Sequence, residues 1–359
     1  MKSVAAAPAE VHASGKPTDT SALAFDDLNR RIIACLRADG RASWTEIARR
    51  CGTSVATVSR RGQRLVADGT VRVAVVPTTA HPGRSSMFFL RMGCRSGSLA
   101  DVAAALSKHP DIRFLAVVSG PFDIAAEVSV DTEDSLIGQL TEIQEIDGVE
   151  WCETDLMLHE YKVAQDWTWQ LLVGETTAST VRDPHTCDAH DMDDIDRSIV
   201  DVMRADGRVG FKVVASQVGL DETTVRRRFE AMLNRGCILV ITLTPASALG
   251  FTSEVILDIS VEPRKLHDVS KQLTSFAGVR FVAATLGGSL LCEMIQPSQA
   301  ALFSFLTNTL AMLDGVRGWR ASMELLTIRR GFVETPWWPR ELEGHLGSRV
   351  TGSTRPQRR

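Results

Sequence analysis

No run of about 18 apolar residues occurs in the 359-residue chain, so nothing in it reads as a membrane span. Its seven cysteines, at 35, 51, 94, 152, 187, 237 and 292, form no CxxC pair and are odd in number. Most sit in apolar stretches and read as small core residues of a protein in a reducing cytoplasm. Nucleotide-binding glycine loops, nucleophile elbows and HExxH motifs are all missing, so no catalytic residues are expected. His185, Cys187 and His190 lack a fourth ligand and match no strong zinc spacing, so no metal is expected either. Residues 1–24 lack a continuous apolar core and read as a disordered leader, not a signal peptide.

What the chain does contain is one module pair, written twice. Shifted by 167 residues, Arg37-Ala38-Asp39-Gly40-Arg41 falls on Arg204-Ala205-Asp206-Gly207-Arg208. Thr57-Val58-Ser59-Arg60-Arg61 likewise falls on Thr224-Val225-Arg226-Arg227-Arg228, and Asp147-Gly148-Val149 on Asp314-Gly315-Val316. The offset reads as unbroken. The copies differ in charge beneath a net −4: residues 27–72 hold ten basic and four acidic residues, and 85–162 hold five and fourteen. The matching stretches 194–239 and 252–329 hold eight against seven and seven against seven. A basic module beside an acidic one points to a polyanion partner at the first module.

Each copy opens with a helical period, Leu28, Ile32, Ile33 and Leu36 above Ile195, Ile199, Val200 and Met203. An Asp-Gly turn ends that helix. A short second helix follows, Gly52 or Gly219 breaks it, and Ser54 or Asp221 sits where a third helix needs its N-cap. This is a helix-turn-helix, and the β-rich run after it reads as the wing and exit strand. The rest of each half reads strand, helix, strand, turn, strand, helix, strand. The expected fold class is α+β: two winged helix-turn-helix domains, each followed by a ferredoxin-like βαββαβ sandwich. The expected boundaries are 25–76 and 194–243 for the former, 85–163 and 252–333 for the latter. A linker is expected over 174–193 and a disordered tail over 340–359.

With Val58, Gly62 and Leu65 facing the core, the third helix turns Ala56, Arg60, Gln63 and Arg64 outward, with Thr57 and Ser59 on its flanks. In copy two Val225, Phe229 and Met232 face inward and Thr223, Arg227, Glu230 and Ala231 outward, flanked by Thr224 and Arg226. Arg and Gln suit purine edges in the major groove, and Ser and Thr suit bases or phosphates. The DNA-binding set is therefore Ser54, Ala56, Thr57, Ser59, Arg60, Arg61, Gln63 and Arg64 with Thr223, Thr224, Arg226, Arg227 and Arg228. An arginine-rich amphipathic helix without a ligand is the plain alternative; the helix pair before it, occurring twice, argues against that. Glu222 and Glu230 would repel phosphate, so copy two is expected to bind DNA less strongly. A glycine facing the core, Gly62, costs about 1 kcal/mol against Ala and suggests a recognition helix that stays soft until DNA binds.

On these residues, with Asp27-Leu28-Asn29-Arg30-Arg31-Ile32-Ile33, Ile47-Ala48, Gly52-Thr53-Ser54, Gly69 and Gly120-Pro121-Phe122-Asp123, the chain resembles the Lrp/AsnC (leucine-responsive regulatory protein) family of transcriptional regulators. The resemblance spans about 300 residues as two consecutive copies and implies a covalent pseudo-dimer in the cytoplasm. Its implied partners are double-stranded DNA and a small-molecule effector such as an amino acid, with further self-association and no other cofactor. It also implies that the turn between the second and third strands contributes to effector binding, through Ser119, Gly120, Phe122 and Asp123 and, in copy two, Gly287, Gly288 and Ser289. Backbone N–H groups there could hold a carboxylate and Asp123 an ammonium; equally, Gly120 and Asp123 could merely shape a hairpin. In copy two the acid reads as replaced by Leu290. Two further functions stay open: a nucleoid protein that wraps DNA, and a tetrapyrrole (siroheme-type) decarboxylase of the same fold. The latter would need converging His and basic groups, whereas His81, His109, His159 and His267 look scattered. Trp167, Trp169 and the pair in Pro336-Trp337-Trp338-Pro339 read as plugs of the pseudo-dimer surface.

Overall fold

A computed structural model describes residues 26–78, 86–130, 133–163, 171 and 192–350. The leader, the Trp167, Trp169, His185, Cys187 and His190 sites, and His81 lie outside the described residues.

The first helix-turn-helix comprises α1 (Asp27–Ala38), α2 (Trp44–Cys51) and α3 (Val55–Ala67). Its caps follow from sequence: Asp26, Ser43 and Ser54 each accept a hydrogen bond from the backbone N–H three residues on, and Gly52 ends α2 in the left-handed conformation. The strand β1 (Arg72–Pro77) comes next, then the first α/β unit: β2 (Ser86–Cys94), α4 (Leu99–Ser107), β3 (Ile112–Val118), β4 (Ile124–Val130), α5 (Glu133–Gln144) and β5 (Val149–Val163). The second copy repeats the order with α6 (Asp194–Ala205), α7 (Phe211–Val218), α8 (Glu222–Asn234) and β6 (Ile238–Leu243). It continues with β7 (Ser253–Val261), α9 (Leu266–Ser275), β8 (Val279–Thr285), β9 (Ser289–Gln296), α10 (Gln299–Asn308) and β10 (Val316–Arg330).

The two four-stranded sheets do not stand apart. Strand β5 pairs with β2 through its first half and with β8 of the other copy through its second. β10 does the same with β7 and then β3. These exchanges close eight strands into one barrel, in the order β10-β3-β4-β2-β5-β8-β9-β7 and back to β10. Copy two's strands lie four positions round the ring from their counterparts, so the barrel axis is a pseudo-twofold axis. Closure leaves no free edge among these eight strands. Its interior is filled by Phe89, Phe114, Phe122, Ile256, Phe281 and Leu291.

The segment expected to be a wing behaves differently. β1 pairs along its whole length, antiparallel, with β6 of the other copy, so the helix-turn-helix units share one two-stranded ribbon. The four-residue apolar run Val73–Val76 is buried throughout, which a solvent-exposed wing would not need. Gly40 and Gly207 lie under this ribbon: a Cβ at Gly40 would come within 2.8 Å of Val240, and one at Gly207 within 2.9 Å of the Ala74 backbone.

Two further expectations need correcting. The 167-residue offset is not unbroken. Val117 pairs with Ile124 and its equivalent Ala284 with Leu290, so the copy-two turn is one residue shorter and the counterpart of Asp123 is Ser289, not Leu290. The stretch 340–359, read as a disordered tail, begins inside a helix, α11 (Trp338–Val350). Composition hid its anchors: Trp338 and Leu342 pack into the first α/β core, while Trp337 packs against the ribbon.

Candidate DNA interface and effector turn

On α3 the inward residues are Val58, Gly62 and Leu65, and on α8 they are Val225, Phe229 and Met232, as the helical period requires. Ser54, Ala56, Arg60, Gln63 and Arg64 are exposed, with Thr57 and Ser59 half-buried beside them. Ser54 also caps the helix, its Oγ accepting from Thr57 N at 3.2 Å and donating to Thr57 Oγ1 at 2.9 Å. In copy two Thr223 and Arg227 are exposed, while Thr224 is half-buried and donates through Oγ1 to Asp221 at 2.7 Å. Arg226 is exposed but engaged, 3.1 Å from Glu222 and 4.8 Å over the Phe211 ring.

Two residues of the set point elsewhere. Arg61 donates to Asp26 Oδ2 at 2.5 Å and to Asn29 Oδ1 at 3.2 Å. Arg228, its equivalent, donates to Asp193 at 2.8 Å and Asp196 at 2.9 Å. Each ties the third helix to the start of the first. Arg61, then the backbone N–H of Asn29, hold the Asp26 carboxyl below the usual range. The structure thus brings Arg60, Gln63 and Arg64 together on one open face and withdraws Arg61 from it.

Gly62 has a steric reason that periodicity could not supply. A Cβ there would fall 2.3 Å from the Trp44 ring, so the glycine is the cavity that accepts the indole. Copy two solves the same contact with Phe211 against Phe229, ring centroids 5.4 Å apart. A pair of arginines then crosses between the units, a link that sequence reading missed although the repeated Asp-Gly-Arg turns carry it. Arg41 donates to Gly207 O and Val209 O and lies 4.5 Å over Phe211. Arg208 donates to Gly40 O and, at 2.9 Å, to Ala42 O, and lies 4.3 Å over Trp44. Each unit grips the other's first turn, which with the ribbon fixes the two reading helices relative to one another.

Behind the ribbon, a cavity of about 90 Å³ is lined by Arg37, Arg113, Arg280, Arg330, Glu127 and Glu293, among others. Arg37 reaches from α1 to the other copy, donating to Thr242 O at 2.7 Å. Arg113 contacts Glu127 at 2.8 Å and Glu160 at 2.6 Å. Its equivalent Arg280 contacts Glu254, Glu293 and Glu324 at 2.5, 2.6 and 2.7 Å, and Arg330 adds a second guanidinium to Glu293 and Glu324. Burial and the neighbouring Glu293 charge push the Glu324 carboxyl well up. Burial works the same way on Glu293, but Arg280 and Arg330 outweigh it and pull that group down.

At the opposite end of the barrel stand the two turns proposed to bind effector. Ser119 exchanges hydrogen bonds with Met323 of β10, its N–H donating at 2.9 Å and its Oγ accepting at 3.2 Å. Asp123 accepts from Cys94 N at 2.8 Å, so this carboxylate already shapes the hairpin. Phe122 is buried in the barrel core, and Gly120 approaches Ser322. In copy two Gly287 N donates at 3.1 Å to Asp155 of β5: a turn N–H does hold a carboxylate, and the chain supplies it. Gly288 N closes the turn onto Thr285 O, and Ser289 Oγ lies 3.2 Å from Thr285 Oγ1. A cavity of about 60 Å³ opens beside the first turn, lined by Pro121, Phe122, Phe89, Trp151, Glu153 and Arg320, among others. It also meets a charge pair on the axis, Arg91 against Asp258 at 3.0 Å, with Arg320 at 2.9 Å on the same carboxylate.

His159 and His267 are less scattered than their spacing suggests. They flank Tyr161, with ring centroids 4.5 and 5.7 Å away and His267 Nδ1 3.4 Å from the hydroxyl. His109 stands apart, 3.9 Å from Glu142. Among the described residues no group of three or more His, Cys, Asp or Glu is arranged to hold a metal ion.

Comparison with known proteins places these features in a lineage. The AsnC-type helix-turn-helix domain matches residues 25–66 and 192–233, and the Lrp/AsnC ligand binding domain matches 87–166. An HTH-type transcriptional regulator of Pyrococcus horikoshii is 31% identical over 135 residues, 37% of this chain and 85% of that protein. The HTH-type transcriptional regulator FL11 of Pyrococcus abyssi is 30% identical over 142 residues, 39% of this chain and 93% of its own. Among solved structures, the siroheme decarboxylase NirDL superposes with a TM-score of 0.55 at 13% identity, over 90% of this chain and 98% of that one. That likeness is one of fold alone.

Proposed function

The chain belongs to the Lrp/AsnC family of helix-turn-helix transcriptional regulators, and on that premise we propose that its halves act as a covalent pseudo-dimer reading an asymmetric DNA site. The observation that carries this reading is the Arg91–Asp258 pair. Two identical halves would set two guanidinia, or two carboxylates, against each other at that place, at a cost like charges in a low-dielectric interior make severe. The chain has diverged so that each half fits the other. The reading faces diverge with it, Arg60-Gln63-Arg64 on one side and Arg227-Glu230-Ala231 on the other. Two half-sites about 34–36 Å apart, or a multiple, are expected, and they differ in sequence. Selection of bound fragments from genomic DNA tests this; a strictly palindromic consensus would sink it.

The effector in this reading is an amino acid or related small molecule at the first turn, beside the cavity that Pro121 and Phe122 line. The second turn, whose N–H already holds Asp155, is the weaker candidate. Repeating the fragment selection with a panel of amino acids tests the effector, and an unchanged site list and affinity across the panel would remove it. Self-association beyond one chain is supported by Leu158 and Leu325, equivalent residues of β5 and β10 that are 58% and 56% exposed. Sedimentation at several concentrations checks it.

The likeness to NirDL motivates one competing reading, decarboxylation of a tetrapyrrole. The chain's matched relatives bear the names of transcriptional regulators, which favours a non-enzymatic role in the cytoplasm. Purified protein that binds a tetrapyrrole with a visible absorption band would reverse that preference. Equal affinity for a selected fragment and for random DNA at one salt concentration would favour nucleoid architecture instead.

A further inference from the structure

The chamber behind the ribbon lies on the pseudo-twofold axis, and its walls come in matched pairs. Arg113 and Phe114 of the first copy answer to Arg280 and Phe281 of the second, Glu127 to Glu293, and Val76 to Leu243. Two residues break the match. Val163 lines the chamber from the first copy, and its equivalent in the second is Arg330, which lines the same space with a guanidinium. Arg37 of α1 lines it too, whereas the equivalent Arg204 is turned to the exposed Asp201 at 3.2 Å. A symmetric chamber would set two guanidinia beside two carboxylates. Divergence has added two guanidinia and, among the described residues, no further carboxylate to the wall.

Glu160 holds Arg113 at 2.6 Å, and Glu254 and Glu324 hold Arg280 at 2.5 and 2.7 Å, but none of the three carboxylates lines the chamber. Each such pair turns its positive end inward, where low dielectric strengthens the field. The guanidinia are also fixed in direction: Arg113 lies 5.7 Å over the Phe281 ring and Arg330 4.9 Å over Phe114, each crossing to the other copy. The wall that the ribbon supplies is apolar, through Val76, Leu239, Ile241 and Leu243. Val163 is 45% exposed and the Arg330 side chain 22%, so the chamber reaches solvent beside them.

We propose that this chamber is a binding site for a short-chain organic carboxylate, separate from the effector turn at the other end of the barrel. The charged wall takes the carboxylate through forked N–H···O bonds, and the ribbon wall takes the aliphatic body. A cavity of about 150 Å³ holds benzene, so the 90 Å³ here admits a body of roughly three to five carbons. A ligand of that size touches both the ribbon and the barrel end, and so fastens the reading units to the α/β core.

The test titrates the full-length protein with butyrate and, separately, with phosphate, butyramide and butylamine, by calorimetry and thermal melting. Butyrate is expected to bind once per chain and raise the melting temperature saturably, while butyramide and butylamine do neither. Arg330→Val, which copies position 163, should weaken butyrate binding about tenfold or more, the loss of one charge-assisted hydrogen bond. If that variant melts early, Arg37→Gln serves instead, since it removes the charge and keeps an N–H for Thr242 O. Absence of butyrate binding, or binding unchanged in both variants, overturns the site. Butyramide or butylamine binding as tightly as butyrate overturns the selection of an anion, and phosphate binding more tightly overturns the organic class. No arm involves DNA, so the outcome is independent of the regulator reading.

Discussion

Arg91 and Asp258 hold the same place in the two halves, 167 residues apart, and meet through the barrel interior as an ion pair 3.0 Å long whose side chains are 6% and 15% exposed. Breaking one side leaves a buried charge. Arg91→Met and Asp258→Leu, each alone, are expected to cost about 3–5 kcal/mol of folding stability, while the double replacement Arg91→Met/Asp258→Leu falls near wild type. Urea melts of the two single variants and the double variant form the cycle; equal losses in all three would remove the pair from any role in matching the halves.

For DNA affinity, Arg60→Ala should weaken binding more than Arg227→Ala, because the first unit's charge balance favours phosphate and the second's barely does. Titrations at one fixed salt concentration decide, and equal losses would remove the asymmetry.

Arg61 neighbours Arg60 in sequence but serves the fold. With its guanidinium bound to Asp26 and Asn29, Arg61→Ala should leave the salt dependence of DNA binding unchanged and lower stability by no more than about 1 kcal/mol, since the pair is partly exposed. A flattened salt slope for Arg61→Ala would place it on the DNA instead.

Gly62→Ala should destabilise the first unit despite the better helix propensity of alanine, a gain of about 1 kcal/mol, because overpacking against Trp44 costs about 1–3 kcal/mol. Adding Trp44→Phe, the residue type of Phe211, should recover most of the loss. Thermal melts of the single and double variants compare the two.

Burial, then the neighbouring Glu293 charge, raise the Glu324 carboxyl well above its ordinary value in the folded state. A carboxyl raised on folding contributes stability below its unfolded pKa and loses it as pH climbs through the folded value. Glu324→Gln, which keeps a neutral hydrogen-bonding group, should therefore flatten any alkaline decline in stability. Glu293→Gln strips a charge from Arg280 and Arg330 and should cost about 3–5 kcal/mol at neutral pH. Melting curves followed upward in pH from the unfolded carboxyl value distinguish them; an unchanged decline in Glu324→Gln shows that another group is responsible.

The helices and strands were legible because their periods are local: Val58, Gly62 and Leu65 face inward as a 3.6-residue repeat demands. The turn between β3 and β4 was located correctly, but its counterpart was misaligned by one residue because only strand pairing reveals a deletion in a turn. What stayed hidden was everything that passes between the copies. Neither the β1–β6 ribbon nor the exchange of Arg41 and Arg208 leaves a periodic trace in one strand or helix, since each joins residues about 167 positions apart. The occupied Gly287 N–H was equally invisible, because its partner Asp155 comes from the opposite half.

The crossing of β5 and β10 has a consequence for numbers rather than shape. A regulator assembled from two chains comes apart as it is diluted, since its association obeys mass action. Here the strands that complete each sheet are tethered to it, and ring closure is a unimolecular step at an effective concentration set by the chain itself. A cell holding only a handful of copies would have as large a fraction closed as one holding thousands, and every molecule would contain one half of each kind.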